Sequence, residues 1–224
     1  MARTPEQIHH PDMTVSIGGT WGHYVRDDCG YSDEAPGILP DPNRVIAYAQ
    51  QDDRWHNHLM GGVPQTIGGY GCAMVCACMV YSQALMPADT STRPDEFNRI
   101  LTEHNGYNIV NSKEAHLAWD RLPDIFLGLA WKGRESWARL LNQHDLDRVF
   151  GFIDDAPLVL WVDFKPNKAG MQTHFVLATG HTQDDIEIID PWQGARSTLM
   201  TRYGREGGDS LKRAIWGYRR LVVR

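Results

Sequence analysis

The run GGYGCAMVCACMVYSQALM, Gly68–Met86, holds three of the chain's four cysteines and opens on Gly69-Tyr70-Gly71. From Ala73 onward it is apolar on nearly every side, which predicts a buried helix ended by Pro87. A buried helix needs a partner layer, and the chain supplies one downstream. Cys72, Cys76 and Cys78 lack the C-x-x-C spacing of a zinc site, and a helix turns Cys78 away from the other two, so no metal is expected. Cys76 and Cys78 read as small core hydrophobes. Cys72 differs, because it follows a flexible turn and starts the helix. There the macrodipole and the free N–H groups stabilise a thiolate and can donate to a developing oxyanion.

A thiol nucleophile needs a base, and the base needs an orienting acceptor. His174 starts the apolar run THFVLATG, and Asp190 ends the next one, DDIEIID. If these are adjacent antiparallel strands, both side chains reach one end of a sheet. A lone histidine near a strand end is commonly a core residue, and Asp before Pro commonly marks a turn. The order Cys, His, carboxylate is nevertheless that of papain-like enzymes. Gln50 and Gln51, in YAQQDDRW, are both candidates for a side-chain oxyanion donor. Spacing alone leaves that choice open.

Met1–Pro42 is rich in Gly, Pro, Asp and His and reads as an arm or irregular cap; residues 43–224 read as one domain. Pro94 leads a helix closed by Asn105-Gly106, with Phe97, Ile100 and Leu101 on one face. Further helices are expected over Glu114–Arg121 and around RESWARLLNQHDLDRVFGF. After Asp155 the period changes: PLVLWVDF, THFVLATG, DDIEIID and RAIWGYRRLVV read as strands, with a hairpin tip at Asp184-Asp185. Helices followed by an antiparallel sheet make an α+β fold, the buried helix packed on the sheet.

The 224 residues are 42% hydrophobic and 22% charged, with formal charge -6 and pI about 5.9. That balance gives a nucleic-acid role no support. MARTPEQIHHPDM lacks the apolar core of a signal peptide, and no segment is apolar for long enough to span a bilayer. Synthesis in the cytoplasm is expected, with phage-type lysis or virion packaging as routes to a cell wall. Cys76 and Cys78 lie too close to bridge and Cys29 stands alone, so free thiols are expected. A metal site built from His56 and His58 in WHNH lacks a spaced carboxylate or cysteine.

AQQDDRW, TIGGYGCAMVCACMV, RPDEFNRILTEHNGY, THFVLATGH and IIDPWQG together resemble the stand-alone, bacteriocin-processing-like cysteine peptidases of the papain-like clan. The resemblance runs from about Asn43 to the end of the chain. It implies Cys72 as nucleophile, His174 as general base, Asp190 as its orienting residue and Gln50, five places before Trp55, as oxyanion donor. It implies a papain-like fold and no cofactor. Trp55, Tyr70, Gly71 and Trp192 flank these positions and are candidates to line a substrate groove. Where relatives carry a Gly-Pro lead into the first core strand, this chain has Asp154-Asp155-Ala156-Pro157. Three functions follow as expectations: hydrolysis of a cell-wall peptide, protein processing in a cell or virion, and an inactive binding module of the same fold. The oligomeric state is left open.

Overall fold

The computed structural model describes residues 45–84, 91–137, 140–205 and 210–224. The expected arm, Cys29 and Pro87 lie outside the described residues. After a short helix, α1 (Ile67–Tyr70), the buried helix α2 runs over Cys72–Ala84. Met74 to Tyr81 of α2 are all at most 2% exposed, as a helix without a polar face requires. The helix α3 (Pro94–Glu103) lies against it. Pro94 stands at its first turn, where a missing N–H costs nothing. Its buried Phe97 stacks on Phe126, with ring centroids 4.2 Å apart. Asn105 takes a left-handed φ of 54° beyond its end.

The expected helix over Glu114–Arg121 is not one. Tyr107–Val110 (β1) and Glu114–Leu117 (β2) form an antiparallel hairpin, followed by a 3-10 turn at Trp119–Arg121 and the helix α4 (Leu122–Ile125). Asn111 and Ser112 take φ of 50° and 54° and reverse the chain between the strands. Period-2 burial then puts Ala115 and Leu117 inside, and Gln65 Oε1 accepts the Ala115 N–H at 2.8 Å. A turn that needs two left-handed residues overrode the helical spacing of the apolar residues after it.

The second expected helix is shorter than its sequence window. Leu129–Ser136 form an edge strand, β3, and the helix α5 covers Gln143–Asp155, capped by the Asn142 side chain on Asp145 N–H. β3 pairs on one side only, bulges between Trp131 and Gly133, and from Trp131 onward alternates half-buried with exposed residues. Its charged residues therefore fit a helix by composition and an edge strand by pairing.

The strands Leu158–Asp163 (β4), Thr173–His181 (β5), Ile186–Asp190 (β6) and Ala195–Thr198 (β7) are followed by the helices Leu199–Tyr203 (α6) and Leu211–Ala214 (α7). The last strand is Ile215–Val223 (β8). The run RAIWGYRRLVV thus begins with helical residues, its strand starting at Ile215. The order across the sheet is β3-β8-β4-β5-β6-β7, every pair antiparallel. Thr182 N–H bonds Asp185 O at 2.8 Å across the expected hairpin tip.

Both faces of this sheet are buried. Val159, Leu177, Ile189 and Leu221 join the core of α2. Leu158, Leu160, Val176 and Ile188 pack with Leu146, Val149 and Ile153 of α5. The fold is α+β, with α2 against β4, β5 and β8. Among the described residues no helix is long and apolar enough to cross a membrane.

Candidate active site

α1 ends on Gly71, whose N–H bonds Ile67 O at 2.8 Å. A Cβ on Gly71 would meet that same carbonyl oxygen at 2.5 Å, so only glycine fits the turn. Cys72 begins α2 immediately after. Val75 N–H bonds back to Gly71 O at 2.8 Å, leaving the N–H groups of the first three helical residues ahead of the helix's own ladder. Cys72 is half-buried, whereas Cys76 and Cys78 are fully buried. Burial pushes both of those thiols well up, and Cys78 Sγ donates to Thr92 O at 3.3 Å. They are inert filler.

His174 is the second residue of β5, and Asp190 the last of β6, its antiparallel neighbour. His174 Nε2 lies 2.9 Å from Asp190 Oδ1. Cys72 lies near enough to the same ring to raise its pKa, and with Nε2 held by Asp190, Nδ1 is the nitrogen left to face the sulfur. Alternation puts His174 with Val176 and Ala178, on the α5 face of the sheet, whereas α2 packs on the other face. The two meet at the end of the sheet, where the β4–β5 pairing runs out at Asp163↔Thr173, one residue from His174.

Asp190 is fully buried and accepts from four donors. Trp192 N–H reaches Oδ1 at 2.9 Å. Arg202 Nε and Tyr203 Oη reach Oδ2 at 2.6 and 2.7 Å. Burial opposes the charge, but the bonds from His174 and Tyr203 outweigh it and hold the carboxyl well below the usual carboxylate range. Burial also disfavours the imidazolium of His174. Its bonds to Asp190 and Cys72 prevail, raising the ring from 6.5 to about 9.

Gln50 is 2% exposed and its Nε2 donates to Gly68 O at 2.8 Å. Gln51 Nε2 donates to the same oxygen at 2.6 Å. Both candidate amides thus gather on Gly68 O, four residues before Cys72, and their bonds to that oxygen do not choose between them. A carboxamide nitrogen carries two N–H donors, so each keeps one beyond this bond. The other end of the Gln50 amide, Oε1, is buried without a partner.

Trp55 does not line a groove. It is 1% exposed, and its Nε1 donates to Ala49 O at 2.7 Å, so it fixes the segment carrying Gln50. Tyr70, by contrast, is 60% exposed beside Cys72. The half-buried Trp192 ring lies 5.1 Å from Phe164, which lies 4.8 Å from His174. Phe164, Arg202 and Tyr203 were not singled out in the sequence. Arg202 and Tyr203 lie twelve and thirteen residues beyond Asp190, with no spacing that marks them; only the packing of α6 beside β6 brings them in. A cavity of about 640 Å³ between the His58-Leu59 loop and α3 touches none of these side chains. Among the described residues no three His, Cys, Asp or Glu side chains cluster as metal ligands, and His56 Nδ1 faces Asp52 O at 3.3 Å.

Compared with protein-family models, curated proteins and solved structures, the chain matches none of them.

Proposed function

We propose that the protein is a cysteine peptidase or amidase with a papain-like fold, of the bacteriocin-processing-like kind, acting through a thioester. The observation that carries this reading is the meeting of Cys72, His174 and Asp190 from three separate elements, with the carboxylate fully hydrogen-bonded behind the imidazole. A satisfied core histidine would not also need a half-exposed thiol at a helix start on its other nitrogen.

The steps follow from the contacts. His174 Nδ1 takes the Cys72 proton, and the sulfur attacks the substrate carbonyl carbon, forming a C–S bond. The oxyanion is held by the Cys72 N–H and the second Nε2 hydrogen of Gln50. Collapse breaks the C–N bond, and the proton on His174 leaves with the amine. Water, deprotonated by His174, then attacks the thioester and releases the acid and the thiol. Asp190 holds the ring in register throughout. Phe164, Trp192 and Tyr70 border the reacting atoms.

For substrate we favour a peptide of the bacterial cell wall, by analogy with soluble enzymes of this kind. The test is incubation with purified peptidoglycan and, separately, with casein, each read by mass spectrometry. New fragments carrying one added water should form with the parent protein. They should be absent with Cys72→Ala, which should melt within a degree or two of the parent because alanine suits a helix start. Fragments from casein alone redirect the reading to protein processing. Turnover retained by a folded Cys72→Ala protein removes the thiol from the chemistry.

A further inference from the structure

On the α2 side of the sheet, the half-buried rings of Trp161, Phe175 and Trp131, from β4, β5 and β3, form a row with the buried Trp119 of the 3-10 turn, and β8 runs between β3 and β4. Trp161 of β4 and Phe175 of β5 are cross-strand partners, with centroids 6.5 Å apart. Phe175 lies 6.2 Å from Trp119, which stacks at 6.0 Å on Trp131 of β3. The row starts one residue from His174 in β5, on the opposite face of the strand, at the end of the sheet where Cys72 meets that histidine.

Two arginines lie along it. Arg219 of β8 sits 5.9 Å above Trp161 and 5.6 Å above Phe175. Arg134 of β3 is its direct cross-strand partner. Like charges opposed across a strand pair are destabilising, and among the described residues no carboxylate pairs with either one. Arg219 instead donates to two carbonyls, Tyr218 O at 2.7 Å and Glu135 O at 3.4 Å. The neighbouring Glu135 carboxylate is held by Arg148 of α5. Burial and the Arg134 charge both act to lower the Arg219 pKa. Arg219 Nε and Trp161 Nε1 are buried donors with no acceptor. In a chain of net charge -6, a cation pair without an acid invites an anion.

We propose that this shelf is a substrate subsite: it receives an extended peptide on its aromatic rings and holds a carboxylate of that peptide between Arg219 and Arg134. Spacing fixes which carboxylate. Arg219 is level with Leu177 of β5, three residues along from His174, and lies two strand spacings away, Arg134 three. At roughly 4.8 Å across and roughly 3.3 Å along, the two arginines lie about 14 and about 18 Å from His174, which equals about four to five residues of extended chain. The anchored acid therefore sits about four to five residues from the scissile bond. Arginine suits the task because its planar fork meets a carboxylate and stacks on rings together. The assignment of a scissile bond rests on the peptidase reading, whereas the preference for an anion does not.

The experiment separates the two. Blocked Ala-rich hexapeptides carrying one Glu at successive positions, with matched Gln peptides, are titrated into Cys72→Ala protein and followed by tryptophan fluorescence and calorimetry. Glu peptides should bind about three- to tenfold more tightly than their Gln partners, the range expected of a partly desolvated charge pair. Raising the salt to 0.5 M, roughly a 4 Å screening length, should shrink that ratio. Arg219→Met should abolish the preference. The exposed Arg134→Met, which carries no fold risk, should reduce it by about half. Equal binding of Glu and Gln peptides, or a preference intact in both variants, overturns the subsite. If Cys72→Ala protein prefers Glu peptides but the parent cleaves no peptide offered, the peptidase reading falls and the subsite stands. If the parent cleaves Glu and Gln peptides equally well, the peptidase reading stands and the subsite falls.

Discussion

Asp190 places its negative charge where four donors meet it, and this sets how the neighbouring imidazole responds to pH. His174 is raised from 6.5 to about 9, so its contribution to stability is complete below pH 6.5 and is lost as pH rises through 9. Asp190 is lowered from the usual 3.8 of an aspartate, so its contribution is present above that value and fades on further acidification. The urea midpoint should be highest between about pH 4 and 6.5 and fall toward pH 9. In His174→Gln the fall between 6.5 and 9 should disappear; a persistent fall assigns it to another group. Because His174 must be neutral to take the Cys72 proton, kcat/KM should rise with pH through a limb near 9, and Asp190→Asn should move that limb downward, because the imidazolium loses its counter-charge. An unmoved limb would separate Asp190 from the base.

At the same scale the two glutamines part company. Gln50→Ala should cost roughly two to three orders of magnitude in kcat, the usual loss for one oxyanion donor, with little change in melting. Gln51→Ala should stay near the parent, since Gly68 O keeps its bond from Gln50. Steady-state rates of both variants decide it, and the reverse pattern would exchange their roles. Cys72, His174 and Asp190, which the fold brings together, were legible in the sequence because each sits at the end of a strongly patterned element. Arg202, Tyr203 and Phe164 were not, because their places depend on how α6 and the end of β4 fold back on the sheet.

At the scale of elements, the joint between α1 and α2 is the most constrained. Gly71→Ala would drive its methyl into Ile67 O and force the backbone to shift, taking Cys72 with it. A clear loss of melting temperature together with loss of turnover is expected, on the order of 1–3 kcal/mol for such overpacking. Gly69→Ala, whose Cβ would meet only Thr66 Oγ1 at 3.4 Å, should retain both. Circular dichroism melts and an alkylation assay on Cys72 check the pair. α2, α3, β4, β5 and β6 were readable because period, caps and burial agreed in each. β2 was misread because Glu114–Arg121 carries apolar residues at helical spacing, and only the left-handed Asn111 and Ser112 ahead of it say otherwise. β3 escaped because an edge strand with three charged residues in a row of eight has no composition of its own.

For the whole molecule, the sheet does not assemble in chain order. β8 comes after every other strand in the chain, yet it lies between β3 and β4 and pairs with both. Those two strands have no bonding to each other, and the row of rings and arginines that crosses them is interrupted until β8 arrives. Closing such long loops before any contact rewards them makes this the slow step of folding. On the ribosome, Cys72, His174 and Asp190 all emerge while β8 is still inside the exit tunnel. The half-built sheet then lacks one wall of the core that buries Cys76 and Cys78. A nascent chain stalled at that length should let maleimide label both cysteines and should show no hydrolysis, and a longer tether that frees β8 should protect them. Labelling already blocked before β8 emerges would mean the core closes without it. On the proposed reading, the chain stays silent until β8 pairs with β3 and β4, its activity released by a strand of its own rather than by a separate inhibitor.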